Sequence, residues 1–268
     1  MKTRAPVPRV GSVGTSALVG VLVWSALAAG MVVAFARPAG AAPRARAGAG
    51  TPSTNPDVVD LLVQLLAAGS SSDRIVAALG ALAKISEGEK SGDPRVLELL
   101  QLYTGHRRPE IRREAVVALG ATPDARAIAP LIERLGDDSP EVRAAAAEAL
   151  SVRREVRAVP RLVRLVRRGD PGAAEAAGRL ATPEALAELC AMQGAAKEGV
   201  LAVALGTYIQ RTDISDGTRI EPLRTIAKLH GVEATAALAD YLASIPARDA
   251  RPSRREAERL LDERGADR

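Results

Sequence analysis

The chain has little of what most enzymes and most small stapled folds are built from. Its 268 residues include one cysteine, Cys190, two histidines, His106 and His230, and as aromatics one Trp, one Phe and three Tyr. A single cysteine excludes an internal disulfide, a zinc cluster and a CxxC redox pair, and no cysteine near the N-terminus means no lipid attachment there. Two isolated histidines leave no Ser-His-Asp arrangement to assemble, and neither a phosphate-binding P-loop nor a GxGxxG after a strand occurs. Aromatics this scarce cannot form a base-stacking platform. What remains is 47% hydrophobic and 26% charged. Ala and Leu recur every few residues, which is the composition of helices packed through small and aliphatic side chains.

The positive balance belongs mostly to the first 42 residues. Lys2, Arg4, Arg9 and Arg37 lie there with no acid, so removing these four cations from the net charge of +5 leaves +1. A basic start, the uncharged run 10–36 and the small residues Ala39-Gly40-Ala41-Ala42 read as a secretory signal with an A-x-A site. The run ALVGVLVWSALAAGMVVAFA at 17–36 is also long enough to span a bilayer, so a retained anchor fits as well, with membrane contact confined to residues 10–36. Either way the expectation is export, with the body periplasmic or held at the inner membrane. Residues 43–55, PRARAGAGTPSTN, read as a flexible linker. A nearly neutral body argues against nucleic acid as the partner.

From residue 56 to 268 the pattern is repetitive. Helix starts are written as a capping residue and Pro at Asn55-Pro56, Asp93-Pro94, Thr122-Pro123, Ser139-Pro140, Asp170-Pro171 and Thr182-Pro183. The side chain accepts a free first-turn N–H, and Pro has none to leave unpaired. Gly105, Gly120, Gly136, Gly169, Gly194 and Gly231 read as stops. Residues 108–138 laid over 139–169 agree at nine positions, among them Pro109/Pro140, Arg112/Arg143, Leu119/Leu150, Arg126/Arg157 and Leu131/Leu162. Two helices in a 31-residue period predict an all-α solenoid of about five to six helix pairs. Past Gly194 two registers fit, with the helix at 219–230 either the second or the first of its pair.

PEVR-x-x-A-x-x-AL at Pro140–Leu150 and ARAIAPLIERL at 125–135 resemble the HEAT-like repeats, in particular the short bacterial type also found in phycobilin lyases. That resemblance implies a ladder in which an Asp before each first helix meets the Arg inside it. Asp137 and Arg143 match, as does Arg112, but His106 stands where the earlier Asp would be. It also implies that second helices line a concave binding surface.

Around 155–168, Val159, Leu162, Val163 and Val166 form one apolar stripe, and Arg157, Arg161, Arg164 and Arg168 lie within about 60° of one another on the opposite side. Guanidiniums suit carboxylates or phosphates, which they can grip through two parallel bonds. The stripe is therefore the candidate partner-binding surface, unless Glu133, Glu141 or other nearby acids neutralise it. His106 and His230 have no ligand-spaced companion, and Cys190 sits among core positions. In the loop TDISDGTRIE, the carboxylates of Asp213, Asp216 and Glu221 do not follow an EF-hand spacing. No cofactor and no metal are expected. The function expected is a non-catalytic scaffold of the cell envelope binding a protein with an acidic surface; the resemblance also admits a helper of covalent modification that holds a ligand or client.

Overall fold

The computed structural model describes residues 56–67, 71–88 and 94–266. The expected signal or anchor (1–42) and linker (43–55) lie outside them. Among the described residues there are thirteen α-helices: α1 (Pro56–Ala67), α2 (Ser72–Gly88), α3 (Pro94–Tyr103), α4 (Pro109–Ala121), α5 (Ile128–Arg134), α6 (Pro140–Val152), α7 (Val159–Arg167), α8 (Ala174–Leu180), α9 (Pro183–Ala191), α10 (Glu198–Ile209), α11 (Ile220–Lys228), α12 (Val232–Ser244) and α13 (Pro252–Ala266). No strand interrupts them, and none is long and apolar enough to cross a membrane.

Capping chemistry starts several of these helices. Ser139 Oγ accepts from the amide of Val142 and Thr182 Oγ1 from that of Ala185, each followed by Pro at the first helical position. Thr122-Pro123 differs from the reading above. Thr122 ends α4, its hydroxyl donating back to Ala118 O, and the next start is Asp124, which accepts from the Arg126 amide and opens a 3-10 turn ahead of α5. Gly120 is likewise no stop. It lies inside α4, where a Cβ would meet the Ala149 Cβ of α6.

The helices stack in two rows. The first helices α2, α4, α6, α8, α10 and α12 each pack on the next, while α3, α5, α7, α11 and α13 lie against α4, α6, α8, α10 and α12. Six pairs follow α1. Because α12 packs on α10 and α13 on α11, α11 is the second helix of its pair, which settles the register past Gly194. Between the rows runs a continuous core in which Leu119, Leu131, Leu135, Leu150, Leu162 and Leu189 are fully buried, each contributing about 1.5–3 kcal/mol of burial. Small residues let the first helices approach one another: Gly120 on Ala149, Gly178 on α10 and Gly206 on Ala237.

Arginines tie the stack together through helix ends, where unpaired carbonyls carry the negative end of the helix dipole. Arg134 donates to Thr104 O (3.2 Å), Arg153 to Thr122 O and Asp124 O, Arg211 to Ala181 O (2.7 Å), Arg219 to Ile209 O (2.9 Å), Arg254 to Ile245 O (2.8 Å) and Arg264 to Leu229 O (2.7 Å). These six arginines therefore face carbonyls of their own chain. On α13, Arg259 bridges Glu256 and Glu263.

Helices α6 and α7 end alike. The amide of Glu155 donates to Leu150 O and that of Asp170 to Leu165 O, both at 3.0 Å, and the residue just before each lies in the left-handed region. In α7 it is Gly169, φ 77°; in α6 it is Arg154, φ 53°, the only non-glycine with positive φ among the described residues. A Cβ in this conformation crowds the following carbonyl. Arg154→Gly should therefore stabilise the domain by about 1 kcal/mol, read as a rise of about 2–4 °C in Tm. A fall in Tm would show that the turn is not strained.

Candidate interaction surface

Arg112 and Arg143 project from the first turns of α4 and α6, one repeat apart. Arg112 grips Asp137 through two parallel bonds, Nε at 2.8 Å and NH2 at 2.6 Å, while its NH1 donates to His106 O (3.1 Å). Arg143 makes the same contact one unit on. Its NH1 donates to Asp137 O (2.8 Å) and Asp138 O (3.0 Å), and its Nε donates to the Asp170 carboxylate. Each arginine thus binds its own turn through carbonyls and the next turn through a carboxylate. Arg143 and Asp137 do not meet side chain to side chain. Asp137, 3% exposed, also accepts from the Ser139 amide (3.0 Å), as Asp170 does from Gly172.

Asp170 is the ladder member that sequence reasoning missed. At the offset of 31 the counterpart of Asp137 is Arg168, but α7 carries two extra residues at its end, so the Asp arrives 33 positions on. At the other end His106 occupies the Asp position and keeps only the local half of the role. Its Nδ1 accepts from the Arg108 amide (3.1 Å) and its ring stacks on Tyr103 with centroids 6.0 Å apart. The start of α8 buries Ala173, Ala174 and Ala176 where an arginine would stand, and the ladder stops there.

The four arginines of the α7 region do not share one environment. Arg157 is held by Glu155, Nε to Oε1 at 2.7 Å and NH2 to Oε2 at 2.9 Å. Hydrogen bonding from Arg157 draws the Glu155 carboxyl below its usual range despite partial burial. The same acid-x-Arg clamp recurs at Asp124/Arg126 and Asp249/Arg251, a local signal legible in the sequence. Arg161, Arg164 and Arg168 make no hydrogen bond or ion pair with a described residue. The Arg161 guanidinium lies over Gly136 at the end of α5, and Arg164 and Arg168 are exposed. Neither candidate neutraliser reaches them. Glu141 accepts from Ser139 Oγ (2.6 Å), and the acid across from α7, Glu188 on α9, is taken by Arg167. The valines and leucines opposite, Val159, Leu162, Val163 and Val166, are buried.

The remaining candidates are dispersed. Asp213 binds Arg211 (2.7 Å), which holds its carboxyl down at about 2, while Asp216 accepts from the Ser253 amide (3.0 Å) and hydroxyl. The loop's carboxylates therefore answer two different neighbours. Ser253 also pairs with Tyr241 Oη at 2.6 Å in the interior. His230 lies exposed beside Glu198. Cys190 is half-buried against the core, and burial pushes its thiol up against a hydrogen bond with Thr225. Among the described residues no three His, Cys, Asp or Glu side chains converge as metal ligands.

A family model described as HEAT repeats matches residues 96–177, from α3 into α8. No curated protein matches the chain in sequence. Solved structures similar to it include an engineered protein at 20% identity, covering 78% of this chain and 97% of its own, TM-score 0.38. A second engineered protein has 22% identity over 76% of this chain and 97% of its own, TM-score 0.40. The complex of CpcE and CpcF of phycocyanin lyase from Nostoc sp. PCC7120 has 19% identity over 84% of this chain and 99% of that one, TM-score 0.38. These scores are too low to carry function across.

Proposed function

We propose, for a chain that matches HEAT repeats over residues 96–177, a non-catalytic scaffold of the cell envelope that holds a protein partner on the outer face of α7. The observation that carries this reading is the contrast among its arginines. Those at helix ends and in the ladder are bonded inside the chain, whereas Arg161, Arg164 and Arg168 line one helix face with no described partner. Like charges in a row repel one another, and a row of carboxylates on a partner relieves that repulsion. The partner surface is accordingly acidic. Stacked repeats hold the face rigid, so docking costs little ordering. Residues 1–42 would deliver the domain across the membrane, and the linker 43–55 would set its reach if the apolar run stays in the bilayer.

The test is crosslinking capture from the native host with the full chain tagged at its C-terminus, as wild type and as Arg161→Glu with Arg164→Glu. Arg164 is exposed and Arg161 half-buried with its guanidinium over Gly136, and neither makes a hydrogen bond or ion pair with a described residue, so helicity should hold and Tm should move by less than about 3 °C. Recovery of an envelope protein should fall at least about tenfold, or 1.4 kcal/mol. Equal recovery by both baits removes α7 from the interface. A coloured small molecule retained in place of a protein would transfer the reading to a ligand-holding helper.

A further inference from the structure

The left-handed turn that ends α6 holds an arginine that forms no side-chain hydrogen bond of its own with a described residue. Its neighbour Arg153 is committed elsewhere, its guanidinium reaching the carbonyls of Gly120 and Thr122 at the end of α4 and that of Asp124 just beyond it. Arg154 is exposed and makes no hydrogen bond or ion pair with a described residue, its charge reaching the Asp213 carboxyl only through space. Two residues before and after it in the chain are Val152, 71% exposed, and Val156, 56% exposed, two of the six large apolar side chains exposed among the described residues, and Val156 lines a hollow together with Arg154. Leu180, Gln210 and Thr212 also line this shallow hollow. The other cations there are committed: Arg179 to Glu148 and Glu175, and Arg211 to Asp213.

We propose that the turn 152–156 is a docking site for a protein segment that presents a carboxylate beside an aliphatic side chain. The carboxylate takes the free fork of Arg154 through two parallel bonds, and the aliphatic group covers Val152 and Val156. Apolar surface around the guanidinium excludes water from the pair, the arrangement that concentrates binding energy in a few residues. The left-handed backbone fixes the direction in which the guanidinium leaves the turn, so less order is lost on binding. A cationic segment is repelled by the three arginines of the hollow. A phosphate would bring two charges to one free guanidinium beside the Asp213 carboxylate, which a monoanion tolerates better. The site is separate from the outer face of α7.

Arg154→Gly removes the guanidinium while relieving the turn, so loss of binding cannot be loss of fold. A random dodecapeptide library is displayed and panned on the immobilised full chain, with depletion on the Arg154→Gly chain. Peptides with Asp or Glu next to Leu, Ile or Val should be enriched. They should bind wild type and the Arg161→Glu, Arg164→Glu chain alike, and Arg154→Gly at least about tenfold more weakly. Val156→Ser should weaken them as well. Enriched peptides that bind Arg154→Gly as tightly as wild type, that lack the acid-aliphatic pairing, or that lose binding only with the α7 substitutions would overturn the proposal, as would the absence of any enriched sequence.

Discussion

Gly178→Ala should lower the melting temperature of the domain by about 6–12 °C, following a destabilisation of about 3 kcal/mol. Gly178 is buried in α8, where a Cβ would fall well inside 3.0 Å of Ala204 O and lie 2.8 Å from Thr207 Cβ and 3.1 Å from Tyr208 N. Two of these atoms are backbone of α10, so relief requires the helix to shift as a body. That shift would open the seam between two repeats, and a stack joined only through neighbours has no other contact to compensate. The same substitution at Gly80 is the control. Within α2 a Cβ there meets nothing within 4 Å, so Gly80→Ala should gain about 1 kcal/mol from helix propensity. Opposite signs for one chemical change, read by calorimetry, test the packing itself. Similar Tm values for the two variants would mean that α8 and α10 are not in close contact.

Asp137→Ala should cost about 3–5 kcal/mol, because it leaves the Arg112 guanidinium, 15% exposed, without its carboxylate and the Ser139 amide without its acceptor. The loss should depend on pH. Burial raises the Asp137 pKa, but hydrogen bonds from Arg112 and Ser139 and the charges of Arg112 and Arg134 outweigh it, and the folded value lies below the ordinary one. A carboxyl lowered on folding contributes stability that is present above its unfolded value of about 4 and is lost as pH falls through the folded value. The gap between wild type and Asp137→Ala in urea denaturation should therefore be widest near neutrality and narrow below about pH 4. Asp137→Asn, which keeps an acceptor, should fall between the two. A gap unchanged from pH 7 to pH 3 would show that the pair contributes as packing alone.

What the sequence carries well is whatever repeats within a few residues. Apolar spacing in α7 and the Ser139 and Thr182 caps act within one turn, so they are read without knowing what lies across the groove. The candidate surface was legible as a face but not in its membership. Arg157 belonged to that face by angle, yet Glu155 two residues away holds it. Thr122-Pro123 had the letters of a start and formed an end, because its hydroxyl found Ala118 O in the turn already made.

Local chemistry in the chain was enough to decide that this protein is helical, that its helices come in pairs of about 31 residues, and which side of α7 faces inward, because helix period and capping are short-range effects. Tertiary structure alone decided which charges are free. An arginine side chain reaches the neighbouring repeat, and which group it meets there depends on offsets that one or two residues can shift, as the two-residue extension of α7 brought Asp170 to Arg143. For the same reason α11 became a second helix only through the packing of α12 on α10. Free guanidiniums such as Arg154, Arg161 and Arg164 are defined by what does not reach them, and that is a property of the assembled stack rather than of any segment.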